Sequence, residues 1–265
     1  MMEKMIFGRY VPADSIVHHL DPRSKLIFVF AFICIVFLAN NVVTYAILAA
    51  FTILLIFIAK IPFRFFINGL KPVLWLVLFT LVLHLFFTKQ GQVIFHLGFI
   101  KIYEEGLRQG LFISFRFMIL IFVTSLLTLT TSPISLTDGL ETLLNPLKKI
   151  KFPVHELALM MSISLRFIPT LMDETDKIMK AQMARGVDFT SGPLKDRIKA
   201  IVPLLIPLFV SSFKRAEELA TAMEARGYHG GEGRTKYRLL LWSFSDTASL
   251  IVLVFITAIL TILRS

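Results

Sequence analysis

Residues 180–186 read KAQMARG and residues 221–227 read TAMEARG, so one chain carries the same ending twice. Each copy closes an Ala- and Met-rich helical pattern. A glycine just past the last periodic residue signals a helix C-cap, because glycine enters the left-handed conformation without a Cβ penalty. The pattern therefore predicts two helices, one ending at Ala184-Arg185-Gly186 and the other at Ala225-Arg226-Gly227.

The arginine of each ending has two interpretations. In the first, the arginine only caps its own helix, because a cation in the last turn interacts favourably with the helix dipole. Capping does not require the same Ala-Arg-Gly ending twice, however, and a guanidinium forms bidentate hydrogen bonds with carboxylates. We therefore predict that Arg185 and Arg226 each dock into an acidic groove on another protein.

The rest of the chain is strongly apolar. Its 265 residues are 56% hydrophobic, and the apolar residues occur in blocks, as in an integral membrane protein. The net charge of +10 does not indicate nucleic-acid binding, because the basic residues flank the apolar blocks and no base-reading motif is present. The single cysteine, Cys34, lies in an apolar run and is interpreted as a small hydrophobic residue.

The apolar blocks predict an all-α protein with about five transmembrane helices. Asp21-Pro22 predicts the start of the first helix. Asn40-Asn41 divides the run 26–59 into two short segments, interpreted as two crossings with an outward turn or as one crossing with an interfacial piece. The remaining predicted crossings are 72–87, 111–131 and 239–263.

One long polar region interrupts this pattern, and it carries most of the Lys and Arg residues. The positive-inside rule places it in the cytoplasm together with the N-terminus. The predicted organisation is a membrane region at 1–131, a helical cytoplasmic coupling domain at 132–238 and a last membrane helix at 239–265.

The predicted helical segments of this domain are separated by prolines. Pro169 is expected to divide 152–167 from 171–185. The apolar stretch 201–213 contains Pro203 and Pro207 and is interpreted as lying along the membrane or under another subunit. Ser212, Ala216 and Ala220 then recur every fourth residue, which predicts a close approach by the helix that ends at Arg185.

Motifs of catalysis are missing from the sequence. The glycines of 229–234, HGGEGR, lack the spacing and the terminal Lys-Ser/Thr of a phosphate-binding loop. His155-Glu156 begins like a zinc motif, but Leu159 stands where the second histidine belongs. We therefore expect a non-catalytic chain without metal or other cofactor, whose energy comes from a partner.

Three segments resemble signatures of the transmembrane T component (EcfT family) of energy-coupling factor (ECF) transporters, which are ABC-type importers. The likeness covers nearly the whole chain. The segments are DPRSKL at 21–26, SLRFIP at 164–169 running on to ARG at 184–186, and AEELA at 216–220 running on to EARGY at 224–228.

This resemblance implies that separate subunits in the cell membrane carry out ATP hydrolysis, substrate binding and coupling. Two ABC-type ATPase subunits would bind and hydrolyse ATP, and each would hold one of Arg185 and Arg226. A separate membrane protein, the S component, would bind a vitamin or metal ion and topple within the bilayer when the ATPases close. The residues expected to contact the S component are Pro203, Leu204, Pro207, Phe209 and Phe213.

Two other classes of protein remain as alternatives. A conventional ABC permease forms its own substrate pathway, usually as a symmetric dimer with one coupling helix per subunit, and two endings in one chain argue against it. A membrane enzyme needs a polar constellation facing one cavity, and the sequence shows none.

Overall fold

The computed structural model describes residues 10–97, 100–189, 193–230 and 239–264. The predicted basic stretch at 234–238 lies outside these ranges. The described chain divides into two compact units. We call residues 10–142 and 240–264 the bundle unit and residues 143–239 the helix-pair unit.

The bundle unit contains α1 to α6 and α9. The first helices are α1 (Ile16–His19), α2 (Pro22–Val36), α3 (Val42–Ala59) and α4 (Phe63–Phe87). They are followed by α5 (Glu104–Thr130) and α6 (Pro133–Leu144), whose last two residues belong to the other unit. After the helix-pair unit, α9 (Phe244–Leu263) returns to the bundle.

The core of the bundle unit lies between α2, α3, α5 and α9. Its centre is made by Phe32 and Val36 of α2, Leu48 of α3, Val123 of α5 and Leu260 of α9, none more than 1% exposed. In the predicted membrane setting, close van der Waals packing of such side chains stabilises these helix contacts. As predicted, Asp21 caps α2 with Pro22 in its first turn, because the Asp21 carboxylate accepts the Arg23 N–H at 2.8 Å.

The Asn40-Asn41 turn joins α2 to α3 and lies beside the end of α9. The side-chain amide of Asn40 donates to the Arg264 carbonyl at 3.0 Å, and that of Asn41 donates to the Leu263 carbonyl at 2.9 Å. The Asn40-Asn41 turn and the end of α9 therefore lie at the same end of the bundle.

A short hairpin was not expected in a protein predicted to be all-α. Strands β1 (Val93–Leu97) and β2 (Ile100–Tyr103) pair antiparallel, with Val93 opposite Tyr103 and Leu97 opposite Ile100. Apart from this hairpin, which falls between α4 and α5, the regular structure that the described residues form is helical.

Among the described residues, four helices are long and apolar enough to cross a membrane, namely α3, α5, α7 and α9. A fifth is obtained when the two halves of α4, bent by 57° at Pro72, count as one crossing. Four to five candidates agree with the predicted number of about five, but the set differs, because α7 belongs to the domain that was predicted to be cytoplasmic. Helix α2 has only 15 residues, fewer than the roughly 20 that a crossing needs, whereas α7 qualifies by length and composition.

The helix-pair unit begins with a 3₁₀ segment, Asn145–Ile150, and consists mainly of α7 (Val154–Ala184) and α8 (Leu194–Ala225). The predicted breaks in the helices at these prolines are wrong. Pro169 lies inside the 31 residues of α7, and Pro203 and Pro207 lie inside the 32 residues of α8. Each helix is therefore about 46 to 48 Å long at 1.5 Å per residue.

Candidate coupling site

Helix α7 ends in a Schellman motif. The Val187 N–H donates to the Gln182 carbonyl at 3.0 Å, and the Gly186 N–H donates to the Met183 carbonyl at 3.0 Å. Gly186 has a φ of +87°, a left-handed conformation that glycine adopts without a Cβ clash. These bonds satisfy carbonyl groups that the helix leaves without partners at its end.

Helix α8 ends in the same way. The Tyr228 N–H donates to the Met223 carbonyl at 3.0 Å, the Gly227 N–H donates to the Glu224 carbonyl at 2.9 Å, and Gly227 has a φ of +74°. The two predicted helix ends and their glycine caps are therefore confirmed, and the two ends share one backbone geometry.

Arg185 and Arg226 occupy the C-cap positions of the two helices, with φ angles of −88° and −90°. Both side chains are exposed, as are Ala184, Gly186, Ala225 and Gly227 around them. Within the described residues, neither guanidinium has a hydrogen bond or ion pair with another side chain or with a carbonyl of its own helix. Both cations are therefore exposed at the ends of their helices.

Three contacts show that α7 and α8 run antiparallel. The Gln182 side-chain amide donates to the Pro203 carbonyl at 3.3 Å, so the end of α7 lies against the first part of α8. Further back along α7, Glu174 accepts from Arg215 Nη2 at 3.1 Å and from the Ser211 hydroxyl. The Arg215 guanidinium also lies 5.9 Å from the centre of the Phe167 ring, within cation–π range.

The Glu174–Arg215 pair lies equally far from the two exposed arginines. Arg185 follows Glu174 by eleven residues, and Arg226 follows Arg215 by eleven residues. At 1.5 Å per residue, each arginine is about 16 Å along its helix from the pair. Because the helices are antiparallel, Arg185 and Arg226 lie at opposite ends of the helix pair, each at the end of its own helix.

Small side chains of α8 line an open groove against α7. Ser212, Ala216 and Ala220 face Ile163, Phe167 and Leu171 across a groove of about 470 Å³. The predicted partner helix is therefore correct. Polar contacts between the two helices are made by Glu174 and Gln182.

The residues predicted to contact an S component lie on the middle of α8. Pro203, Pro207, Phe209 and Phe213 are exposed, and Leu204 is half-buried. Phe209 and Phe213 keep 59% and 73% of their surface accessible. Exposed aromatic side chains of this size are available for contact with lipid or with an apolar partner.

The DPRSKL segment makes a second cluster, within the bundle unit, centred on Asp246. This carboxylate is fully buried at the start of α9. Its Oδ1 accepts the Asp21 N–H at 2.8 Å and the Ser24 hydroxyl at 2.5 Å, and its Oδ2 accepts the Ser243 N–H at 2.7 Å. One carboxylate therefore fixes the N-termini of α2 and α9 together.

Lys25 holds the same segment to the end of α5. Its ammonium donates to the His18 carbonyl at 3.0 Å, the Thr130 carbonyl at 3.1 Å and the Thr131 hydroxyl at 3.2 Å. Three acceptors satisfy the three donors of this buried ammonium group. In the structure, this signature segment thus joins α2 to α5 and α9.

Sequence reasoning missed both Asp246 and the burial of Lys25. The Ser243-x-x-Asp246 spacing before an apolar run is a helix-start signal that pointed to Asp246. A lysine at the head of an apolar run looks interfacial, so Lys25 gave no comparable signal. Among the described residues, no group of three or more His, Cys, Asp or Glu side chains is placed to hold a metal ion.

These features define a multi-pass membrane protein that presents two exposed, cationic helix ends. A family model described as "Cobalt transport protein" (CbiQ) matches residues 13–237. The chain is 67% identical over 265 residues to the "Energy-coupling factor transporter transmembrane protein EcfT" of Bacillus subtilis (strain 168), with both chains covered completely. Proteins of the same name from Listeria innocua and Macrococcus caseolyticus are 61% and 56% identical over 265 residues, again with complete coverage.

The chain therefore belongs to the family of transmembrane proteins of energy-coupling factor transporters, and the resemblance seen in the sequence is confirmed. It is a membrane coupling subunit of such a transporter.

Proposed function

We propose that this chain joins two ABC-type ATPase subunits to a substrate-binding S component for the uptake of a vitamin or metal ion. The N-terminus and residues 132–238 face the cytoplasm, and Arg185 and Arg226 each dock into a carboxylate-lined groove on one ATPase. The observation that carries this proposal is the identical Schellman geometry of the two ends, each with an exposed arginine at its C-cap.

The chemistry of ATP hydrolysis belongs to the partners in this proposal. The chain itself binds no nucleotide and needs no cofactor. Closure of the ATPases on ATP would shift the ends of α7 and α8, and these helices would carry the shift to the S component. The exposed Phe209 and Phe213, with Pro203, Leu204 and Pro207 beside them, form its proposed contact surface.

Charge reversal at the two arginines tests the ATPase contacts. Arg185→Glu and Arg226→Glu, alone and together, are expressed with the partner ATPases and the S component. Copurification of the ATPases and ATP-dependent uptake are then measured. Removal of one charged hydrogen-bonding partner from a docked interface costs about 2–5 kcal/mol, so each single change should lower association strongly.

Matched controls are available on the same helices. Lys177→Glu and Lys214→Glu reverse exposed cations outside the two repeated endings, and they should leave assembly and uptake nearly unchanged. Normal transport by the double arginine variant contradicts the proposal.

Subunit counting by mass measurement separates the proposed coupling subunit from a conventional permease. The proposal requires one copy of this chain per ATPase pair, whereas a symmetric permease requires two.

The S-component surface has its own test. Phe209→Ser with Phe213→Ser should release the S component while the ATPases remain bound. Retention of the S component by this variant places its contact elsewhere on the chain.

A further inference from the structure

A polar pocket of about 480 Å³ opens at one end of the bundle unit. It is formed where α1, the end of α3 and the start of α9 meet. Its polar lining comes from Asp14, His19, Lys60, Ser243 and Ser245. Asp14, His19, Lys60 and Ser245 are all exposed, so the pocket is open to a ligand.

An apolar groove of about 430 Å³ continues from this pocket. Ile16 and Ser245 line both cavities, so the two are contiguous. The groove runs beside α9 from Phe244 to Val252, about 12 Å at 1.5 Å per residue. A polar pocket that leads into a long apolar groove, on a membrane helix bundle, fits a ligand with a polar head and an alkyl chain.

The pocket carries both signs of charge. Lys60 supplies a cation, and the hydroxyl group of Ser245 supplies a donor for a phosphate oxygen. The Ser243 hydroxyl is not a donor for the ligand, because it already donates to Asp246 Oδ2 at 2.8 Å. Asp14 supplies an anion: its Oδ1 is 2.7 Å from His19 Nε2, while its Oδ2 has no partner among the described residues. The His19 hydrogen bond lowers the pKa of Asp14, so this carboxylate is charged at neutral pH.

This pair of charges selects between classes of lipid. An anionic headgroup would be attracted by Lys60 but repelled by Asp14. A headgroup that has both a phosphate and a primary ammonium satisfies both residues. A choline headgroup matches the charges but has no N–H to donate to the free oxygen of Asp14.

Lys60 itself has an unusual backbone conformation. It ends α3 with φ 54° and ψ 29°, in the left-handed region where helices commonly end in glycine. A non-glycine residue there carries a conformational cost of roughly 1 kcal/mol. Ligand binding by the lysine side chain would explain why a lysine occupies a position that favours glycine.

We propose that these contiguous cavities form a binding site for one phosphatidylethanolamine molecule. Its phosphate contacts Lys60 and the hydroxyl of Ser245, its ammonium contacts Asp14, and one acyl chain lies in the groove between α3 and α9.

The test uses the full-length chain purified in detergent. Dioleoyl phosphatidylethanolamine, phosphatidylcholine and phosphatidylglycerol are added in turn, and native mass spectrometry measures how much of each lipid stays bound. The ethanolamine lipid should be retained about fivefold better than the glycerol lipid, the factor expected for one exposed charge pair, since the glycerol headgroup has no cation for Asp14. It should be retained better than the choline lipid by a smaller factor, because the choline headgroup lacks only the N–H. Inorganic phosphate at millimolar concentration should not displace it, because the groove contributes to binding.

Three variants separate binding from folding. Lys60→Gly should lower retention of every phospholipid about fivefold while the protein unfolds at the same or a higher temperature, since glycine relieves the left-handed strain. Asp14→Asn should lower retention of the ethanolamine lipid more than that of the choline lipid, because only the ethanolamine headgroup donates an N–H to Asp14. Ala248→Phe places a large ring in the groove and should lower retention of all three lipids.

Three results would overturn the assignment. The first is equal retention of the three lipids by the unaltered protein. The second is retention by Lys60→Gly equal to that of the unaltered protein. The third is attachment of a photo-crosslinker at position 248, in the assembled transporter, to another membrane protein and not to lipid.

Discussion

The buried carboxylate of Asp246 accepts the backbone N–H of Asp21 at 2.8 Å, across 225 positions of sequence. Asp21 in turn caps α2, and Asp246 accepts the Ser243 N–H at the start of α9. Two helix starts are therefore held by one continuous set of hydrogen bonds. Such a set is costly to break, because each donor left behind in the interior loses its partner.

Asp246→Ala should destabilise the protein by about 3 kcal/mol or more, because the Asp21 N–H, the Ser24 hydroxyl and the Ser243 N–H each lose an acceptor. Asp246→Asn should have a smaller effect, since its one remaining oxygen still accepts. Thermal unfolding in detergent measures both variants. Ser245→Ala is the control at an exposed neighbouring position, and an Asp246→Ala protein that unfolds like this control disproves the role of the carboxylate.

Gly106→Ala should destabilise the packing of α4 against α5. An added Cβ would lie 2.8 Å from the His84 carbonyl and 3.2 Å from the Thr88 carbonyl, so backbone must move. Overpacking of this kind costs about 1–3 kcal/mol. Gly69→Ala is the matched change on α4, because its Cβ would meet only the Ser125 hydroxyl at 3.5 Å.

The Gly69→Ala variant should be neutral or slightly stabilising, since alanine is the better helix former. Thermal unfolding of both proteins in the same detergent makes the comparison. Equal unfolding temperatures for the two variants would contradict the close approach at Gly106.

Gly227→Ala should weaken the end of α8 by about 1 kcal/mol, because φ is +74° there and a Cβ strains that conformation. Gly227→Asn should cost less, since asparagine adopts left-handed conformations more readily. There is open space around Gly227, so backbone strain and not a clash is measured. Hydrogen exchange of the Tyr228 amide, whose bond to Met223 closes the motif, should speed up in the order Gly, Asn, Ala. An unchanged rate in the alanine variant contradicts the strain argument.

Acid should destabilise the contact between α1 and the preceding segment through His18. Burial holds the pKa of His18 below its ordinary value, and the hydrogen bond to the Val11 carbonyl offsets part of this effect. Above about pH 6.5 the ring is neutral in both the folded and the unfolded chain. As the pH falls below that value, the unfolded chain binds the proton more readily, so stability declines until the folded pKa is passed.

The measurement is the unfolding temperature between pH 8 and pH 5. His18→Gln should flatten this dependence, whereas His19→Gln, on an exposed neighbour, should retain the contribution of His18. An equally steep decline in the His18→Gln protein assigns the acid sensitivity to other groups.

The features that sequence predicted well are local ones. The C-caps at Gly186 and Gly227 and the N-cap at Asp21 depend on residues within one helical turn, so the pattern alone identifies them. The hairpin had a local signal too, since VIFHL at 93–97 and IKIY at 100–103 are rich in β-branched and aromatic residues.

The features that sequence missed depend on tertiary context. A proline removes one N–H and introduces a local clash, but longer helices continue through it when the turns on either side remain bonded, as at Pro169, Pro203 and Pro207. The Asp21–Asp246 bond joins residues that no periodic pattern relates. The same holds for Glu174 and Arg215, whose pairing requires the antiparallel arrangement of α7 and α8.

Arg185 and Arg226 each follow one member of the Glu174–Arg215 pair by eleven residues, so this ion pair marks the midpoint between the two exposed arginines along the helix pair. In the proposed assembly, the two ATPase contacts would therefore be spaced evenly on either side of one ion pair.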